Sequence, residues 1–186
     1  MDRVTDYESG GWRFKSSWAR FEISKMINIH RMEDASRHEY FMRQAIVEAE
    51  KAVEKDEVPV GAVIVYENRI IARAHNQREI LNDPTAHAEM IAITQAADYL
   101  QNWRLTGTTM YVTLEPCAMC AGALVQSRID TLVYGTVDKK AGACTSVMNL
   151  VQEPRFNHRL KVIPNILAEE SKYLLQRFFL ENCRAK

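Results

Sequence analysis

The chain has 186 residues, of which 47% are hydrophobic and 26% charged, and these are the proportions of an ordinary globular protein. Its 24 Lys and Arg residues balance 24 Asp and Glu residues, which excludes a nonspecific nucleic-acid coat but leaves room for a local basic groove. No apolar run reaches the roughly 18 residues that a membrane helix needs, so we expect one principal domain without a membrane span.

Residues 1–33 differ in character from the rest, and we predict a mobile N-terminal extension ahead of a domain over residues 34–186. Phe14, Trp18 and Phe21 are spaced to share one face of a short helix. Because the segment carries acidic residues and lacks an apolar core, we expect no secretory signal. Two interpretations stay open: a native extension, or a gene start assigned too far upstream.

The first predicted helix begins at Ser36, where Glu39 completes an S-x-x-E capping box. The apolar residues that follow recur at helical spacing and predict one buried face: Phe41, Met42, Ala45, Ala49, Ala52 and Val53. The apolar run over 60–65 predicts a strand buried on both faces. A turn at Glu67 returns the chain into a second strand over 70–74, so the two strands form a hairpin.

Helices and strands alternate along the remaining chain. The pattern predicts a polar loop over 75–83, helices over about 86–99, 118–127, 146–151 and 167–183, and strands over 109–114, 131–135 and 160–163. In the last helix we expect Phe178 and Phe179 to face the core. This alternation, with a hairpin at its start, predicts a layered α/β sheet.

Two short segments at predicted loop-to-helix junctions carry the chemistry. The first contains His87 and Glu89, and the second contains Cys117 and Cys120 directly after Pro116. One imidazole and two thiolates make a three-ligand zinc set that leaves the fourth tetrahedral position to water, whereas a structural zinc site fills all four. Zinc lowers the pKa of its bound water toward about 7, and Glu89 is the adjacent proton carrier. The residues therefore predict a catalytic zinc site.

The spacing of these residues narrows the chemistry further. A lone C-x-x-C is a weak signal, but H-x-E followed 28 residues after the Glu by the first Cys of P-C-x-x-C matches the signature of zinc-dependent nucleobase deaminases. Residues i and i+2 diverge on a helix, so His87 and Glu89 can serve one site only if the helix begins between them. Pro84 and Thr85 favour a helix start at this point.

The chain resembles the bacterial tRNA-specific adenosine deaminases, of the cytidine deaminase-like superfamily, over roughly residues 36–179. The stretches that carry the resemblance are 58–63, 74–76, 83–89, 111–122, 135–138, 140–143 and 156–159. The zinc motif alone indicates the superfamily, whereas Asp-Pro-Thr-Ala-His-Ala-Glu and Asn-His-Arg indicate the tRNA branch. The resemblance implies a three-layer α/β/α sandwich with a central mixed five-stranded sheet.

The resemblance also implies a reaction, the hydrolysis of the wobble adenosine (position 34) of a tRNA anticodon at C6 to give inosine and ammonia. His87, Cys117 and Cys120 would bind one Zn²⁺ per chain. Zinc-bound hydroxide would attack C6, and Glu89 would move protons from this water to the purine ring and the leaving amine.

Four further residues lie in matching stretches and are expected to contact the substrate. Asn76 would hold the flipped base, and Asp138 would contact a neighbouring ribose. Lys140 and Arg159 would contact the tRNA anticodon stem-loop. Members of the family are homodimers whose active sites are completed by the partner chain, so we expect a homodimer.

Several of these residues admit a plainer interpretation. Asn76 and Asp138 also suit turns, and His75 suits packing against the site better than a second metal site. A C-x-x-C in a chain without a signal peptide indicates metal or redox chemistry rather than disulfides, and we expect a reducing cytoplasm. Cys144 and Cys183 have no expected role beyond packing.

The segment 139–161 is basic, with Glu153 as its one acidic residue. Its basic residues are Lys139, Lys140, Arg155, Arg159 and Lys161. A solvated face and a track for RNA phosphates both explain such a run, and a protein without net charge needs a local patch to bind RNA. Three functions stay in competition: an RNA-editing deaminase, a deaminase of free bases or nucleotides, and a noncatalytic zinc-stabilised binding module.

Overall fold

The computed structural model describes the backbone of residues 16–184 and the side chains of residues 34–181. The chain divides into two compact units, residues 1–36 and 37–186. In the first unit, the backbone of residues 16–36 is helical. The predicted apolar face of Phe14, Trp18 and Phe21 lies outside the described side chains, and the boundary after residue 33 stays a prediction.

The first helix, α1, spans Ser16–Val53, so the predicted helix start at Ser36 is wrong. No Gly or Pro occurs between Ser16 and Val53, and a local capping pattern therefore does not interrupt a helix that the preceding residues already support. Most of the predicted apolar face is confirmed in the second unit: Phe41, Met42, Ala45, Ala49 and Ala52 are buried, whereas Val53 at the end of the helix is half-buried.

The other elements lie within about two residues of their predicted bounds. The strands are β1 (Gly61–Tyr66), β2 (Arg69–His75), β3 (Thr108–Leu114), β4 (Thr131–Thr136) and β5 (Lys161–Ile163). The helices are α2 (Arg78–Leu81), α3 (Ala88–Leu100), α4 (Ala118–Gln126) and α5 (Ala168–Arg184). The single turn of α2 lies inside the predicted polar loop and was not expected. None of the helices in the described region combines the length and hydropathy that crossing a bilayer requires.

The predicted short helix over 146–151 is wrong. The segment consists of turns, a bend and residues without regular structure, and no helix is found there. The amides of Cys144, Thr145 and Ser146 all donate to one carboxylate oxygen of Glu115.

The five strands form one mixed sheet in the order β2-β1-β3-β4-β5. On one face, Val63 and Val65 pack with Phe41 and Met42 of α1. On the other face, Ala62 and Ile64 join the larger core, to which α3 and α4 contribute. Helix α5 contacts β4 and β3. The expected three-layer α/β/α sandwich is confirmed, and burial on both faces explains the continuous apolar run of β1.

In the last helix, α5, one of the two predicted core residues is wrong. Phe178 is buried as expected, whereas Phe179 is 52% exposed. Neighbouring residues on a helix point about 100° apart, so a single turn cannot direct both rings fully into the same core. The two rings instead contact each other edge to face, with centroids 5.5 Å apart.

The strand directions determine where a site can form. β1 is antiparallel to both β2 and β3, and β4 is parallel to β3. β2, β3 and β4 therefore run in one direction, and their carboxyl ends meet at the same edge of the sheet. Asn76, Glu115 and Val137 come directly after those ends. In layered α/β sheets, ligands bind beyond the carboxyl ends of the strands.

Candidate active site

At this edge of the sheet, one imidazole and two thiols converge. Nδ1 of His87 lies 3.8 Å from Sγ of Cys117 and 3.5 Å from Sγ of Cys120. The three ligand atoms all lie within 4.8 Å of one another. A zinc ion with ordinary bond lengths to N and S at the tetrahedral angle separates these atoms by about 3.6 Å. The two distances from the imidazole nitrogen to the sulfur atoms therefore match those around a zinc-sized metal ion.

Two helix N-termini position these ligands. His87 is the N-cap residue of α3 with an extended backbone (φ −73°, ψ 151°), and Cys117 is the N-cap residue of α4 (φ −71°, ψ 175°). Cys120 follows in the first turn of α4 and is buried. Residues i and i+2 within a helix point in different directions. His87 lies before the first helical residue and Glu89 is the second helical residue, so this restriction does not apply and both side chains can point to one site.

The protonation of this group suits metal binding. Hydrogen bonds from Cys120 and then from His87 lower the pKa of Cys117 to about 3. The same hydrogen bond to Cys117 raises the pKa of His87, and the hydrogen bond with Cys117 together with burial raises that of Cys120. Without a metal, the group thus contains one thiolate, and the second thiol loses its proton when a cation replaces it.

Glu89 lies beside this group in a buried position. Its side chain is only 4% exposed, and burial raises the pKa of the carboxyl group. The neighbouring His87 and Cys120 counteract part of this rise in the pKa of Glu89, which places its carboxyl group near the metal-binding group. A buried acid whose pKa is shifted toward neutrality is the type of group that carries protons in catalysis.

Asn76 reaches the same edge from β2, and its side chain has a distant partner. Nδ2 of Asn76 donates to Oε2 of Glu57 at 3.0 Å, and both residues are buried. Its backbone N–H donates to the carbonyl of Val60, and the next amide, of Gln77, donates to the carbonyl of Ala86 at 3.0 Å. The side chain therefore does not make the local contacts of a simple turn residue. The sequence analysis did not identify Glu57. The one feature that could have indicated it is its position directly before the stretch 58–63 that matches the family.

Glu115, also missed, organises the loop that follows β4. Its Oε1 accepts hydrogen bonds from the amides of Thr145 (2.7 Å), Ser146 (2.9 Å) and Cys144 (3.2 Å), and its Oε2 accepts one from the amide of Asp138 (3.1 Å). Burial by itself raises the pKa of Glu115, but hydrogen bonds from Ser146, Thr145 and Asp138 outweigh it and lower the pKa. Its position inside the matching stretch 111–122 was the available signal.

The same loop brings Asp138 to the metal-binding segment. The amide of Ala143 donates to the carbonyl of Pro116 at 2.9 Å, and Cys117 forms an isolated antiparallel bridge with Gly142. Oδ1 of Asp138 accepts hydrogen bonds from the amides of Lys140 (2.8 Å) and Ala141 (3.1 Å). These bonds form a turn, which is the plainer interpretation of Asp138 given in the sequence analysis.

The basic residues divide between the two ends of the sheet. Lys140 is exposed four residues beyond the carboxyl end of β4. Arg159 is exposed two residues before β5, which is parallel to β4 and pairs Lys161 with Thr131 at the start of β4. Lys140 therefore lies beyond the carboxyl ends of the strands and Arg159 beyond their amino ends. Only Lys140 is on the same side of the sheet as the metal-binding group.

His75 is not one of the residues that converge in the metal-binding group. Its Nε2 is 3.1 Å from Nζ of Lys55, and its Nδ1 is 3.9 Å from a carboxylate oxygen of Glu48. Burial, and then the charge of Lys55, lower the pKa of His75. These contacts favour the packing interpretation.

Known proteins resemble this chain over most of its length. A family model described as MafB19-like deaminase matches residues 36–182. A tRNA-specific adenosine deaminase of Bacillus subtilis (strain 168) is 53% identical over 143 residues, which cover 77% of this chain and 89% of that protein. A tRNA-specific adenosine deaminase of Aquifex aeolicus (strain VF5) is 52% identical over 141 residues, covering 76% of this chain and 93% of that protein.

The fold has a solved counterpart. A structure from a study of A-to-I editing by tRNA:A34 deaminases at the wobble position of transfer RNA superposes with a TM-score of 0.71. It is 46% identical in sequence and covers 73% of this chain and 99% of its own. The sequence comparison and the structural comparison therefore both find tRNA adenosine deaminases.

Proposed function

The chain belongs to the MafB19-like deaminase family and, within it, to the tRNA-specific adenosine deaminases, and we propose that it deaminates the wobble adenosine (position 34) of a tRNA anticodon. Water replaces the amino group at C6, so that inosine and ammonia are the products. The observation that carries this proposal is the convergence of an imidazole, two thiols and the buried Glu89 at the N-termini of α3 and α4.

We propose that the ion bound by this group is zinc, one per chain. His87, Cys117 and Cys120 would hold it, and their soft sulfur and imidazole donors suit Zn²⁺. Within the described side chains, no fourth His, Cys, Asp or Glu joins the group, which leaves one coordination position open. When bound, zinc supplies the activated water that serves as nucleophile.

Glu89 is the proton carrier of the reaction. Its carboxylate takes one proton from the attacking water and passes it to the purine ring. It then takes the second proton from the same oxygen, now bonded to C6, and passes it to the amine, so that the C6–N bond breaks, ammonia leaves and a C6 carbonyl remains. Burial favours the neutral acid, so a proton, once taken, stays available for transfer inside the site. General acid–base catalysis of this kind contributes typically about 10²–10⁴-fold to a rate.

Asn76 and Asp138 are the proposed contacts to the nucleoside. Asn76 follows β2 and Asp138 follows β4, at the edge where Cys117 follows β3. Asn76 holds the flipped base, and Asp138 contacts a neighbouring ribose. An anticodon loop suits this site because its bases are single-stranded, which limits the cost of unstacking to at most a few kcal/mol.

Lys140 and Arg159 are the proposed contacts to the RNA backbone. Both are exposed, and their separation along β4 suits an extended stem-loop better than a single base. In a protein with equal numbers of acidic and basic residues, local cations have to provide most of the affinity for phosphate.

We further propose a homodimer in the cytoplasm. The dimer is inferred from the family resemblance, and light scattering at working concentration would contradict it by returning a monomer. The cytoplasm suits the metal-binding group because thiols are kept reduced there.

The test is an assay of inosine formation by purified, zinc-loaded protein acting on an anticodon stem-loop with adenosine at position 34. We expect inosine at that position only, identified by nuclease digestion and mass balance. A stem-loop with guanosine at position 34 and adenosines elsewhere in the loop is the control. If no inosine forms with one zinc bound per chain, the proposed substrate is wrong. Free adenine, guanine and cytosine derivatives would then separate a small-molecule deaminase from a binding module.

A further inference from the structure

Beyond the residues assigned above, we propose that Glu57 is a positioning residue for base binding. It acts by holding the side-chain amide of Asn76 in one orientation and by anchoring the loop between Asn76 and His87. The inference rests on the proposed function, because it assumes that Asn76 contacts the target base.

Glu57 is a carboxylate with both oxygens engaged inside the protein. Its side chain is 0% exposed. Oε2 accepts the hydrogen bond from Nδ2 of Asn76 at 3.0 Å, while Oε1 accepts from the backbone amides of Glu79 (2.8 Å) and Ile80 (2.9 Å). Since Glu57 is buried and its oxygens are occupied, it acts on a ligand through these partners.

The chemistry of this pair determines which way the Asn76 amide faces. A carboxylate only accepts hydrogen bonds, so the NH₂ group of Asn76, and not its oxygen, has to face Glu57. Among the described side chains, no other group bonds to Oδ1 or to the second N–H of Asn76, so both are open to a ligand. A buried hydrogen bond to a charged acceptor is stronger than one between neutral groups, so it opposes the 180° rotation that would exchange these atoms.

The other oxygen of Glu57 anchors the loop that leads to His87. Helix α2 has only four residues, and its N-cap residue, Gln77, makes no side-chain capping hydrogen bond. Glu57 provides the missing acceptor from a segment about 20 residues earlier in the chain. Gln77 in turn is tied to Ala86, the residue before His87. One buried carboxylate thus positions the base contact and supports the segment that carries a metal ligand.

The test compares two stem-loops, one with adenosine and one with an abasic nucleotide at position 34, in the full-length zinc-loaded protein. Glu89→Gln in all proteins slows turnover strongly, so that dissociation constants can be measured before the RNA is converted. The dissociation constant for the abasic RNA divided by that for the adenosine RNA measures how much the base, as distinct from the phosphates, contributes to binding. We expect Glu57→Gln to reduce this ratio about tenfold or more, to the level of Asn76→Ala, and to leave affinity for the abasic RNA unchanged.

A double-mutant cycle shows whether Glu57 acts through Asn76. If it does, Glu57→Gln adds little to Asn76→Ala, whereas additive losses would overturn the inference. The matched control is Glu48→Gln, because Glu48 is also a buried carboxylate (3% exposed) but interacts with Lys51, Arg73 and His75 and not with the side chain of Asn76. Equal loss of affinity for both stem-loops in Glu57→Gln would also overturn it.

A second variant protects the test against misfolding of Glu57→Gln. Asn76→Asp keeps Glu57 and its contacts to α2 but places two carboxylates at the 3.0 Å contact. We expect its melting temperature to fall and to recover when Glu57→Gln is added, since the new amide can then donate. Absence of recovery would contradict the pairing. Absence of inosine formation by the unmodified protein would instead contradict the proposed function, so the two failures are distinguishable.

Discussion

Gly142 packs directly against the carboxyl group of Glu115: a Cβ atom at position 142 would lie 2.5 Å from Cδ and Oε2 of Glu115 and 2.3 Å from Oγ of Ser146. The loop after β4 therefore closes around a buried carboxylate with no room for a side chain at this point. Because Gly142 also bridges to Cys117, this close contact links the expected ribose-binding loop to the metal-binding segment.

Gly142→Ala should destabilise the protein by about 1–3 kcal/mol, the usual cost of forcing an extra carbon into a packed position. Urea unfolding followed by circular dichroism measures this change. The matched control is Gly122→Ala in α4, where an added Cβ meets no atom within 4 Å. Alanine there should be neutral or stabilising by up to about 1 kcal/mol. If the free energy of unfolding changes equally in both variants, the close packing of Gly142 against Glu115 is contradicted.

Glu89→Gln should abolish most of the deamination while leaving zinc in place. The amide cannot take up and return a proton, so we expect the rate to fall by about 10²–10⁴-fold or more. Single-turnover inosine formation and metal analysis on the same sample measure both quantities. Glu67→Gln, in the exposed turn between β1 and β2, is the control. Unaltered activity in Glu89→Gln would contradict its role as proton carrier.

Cys120→Ser should lower the zinc content well below one ion per chain, because a hydroxyl is a poor zinc ligand at neutral pH. Cys144→Ala provides the comparison within the same protein. Burial raises the pKa of Cys144, so its thiol stays protonated, and it lies outside the metal-binding group. Elemental analysis after dialysis distinguishes the two variants. Loss of zinc in Cys144→Ala but not in Cys120→Ser would refute the assigned ligands.

His75 should make the folded state less stable in mild acid. Its pKa is lowered in the folded protein by burial and by Lys55, so the unfolded chain binds the proton more readily. Stability is therefore complete above the unfolded pKa of about 6.5 and declines as the pH falls below it toward the folded pKa. We expect His75→Gln to reduce the decline between pH 7.5 and pH 5.5, about one unit on either side of that pKa, measured by urea unfolding with chelator present. Equal declines in both proteins would show that other groups dominate.

Lys140→Gln and Arg159→Gln should each weaken binding of the stem-loop and reduce its dependence on salt. Each phosphate contact that is lost lowers the slope of log affinity against log salt by about one. Filter binding at several salt concentrations gives the slope. Lys172→Gln on α5, where Lys172 pairs with Glu169 at 3.6 Å, is the control. A slope that is unchanged in both variants would exclude these residues from the RNA interface.

Local patterns determined most of the elements and the metal-binding residues. Helical and strand periodicity located β1 to β5, α3, α4 and α5, because each depends on residues only a few positions apart. The ligands were also accessible to sequence reasoning, since His87 and Cys117 each occupy the junction of a loop and a helix. The same local reasoning failed at Ser36, where a capping pattern sits inside a longer helix.

Tertiary structure alone decided which distant residues meet. Strand order and direction bring the carboxyl ends of β2, β3 and β4 to one edge and separate Lys140 from Arg159, and no local pattern encodes that order. Glu57 and Glu115 bond to groups about 20 to 30 residues away, so their roles appear only once the sheet is formed. A buried carboxylate needs hydrogen-bond donors to offset its loss of hydration, and here the folded chain provides them from its own loops.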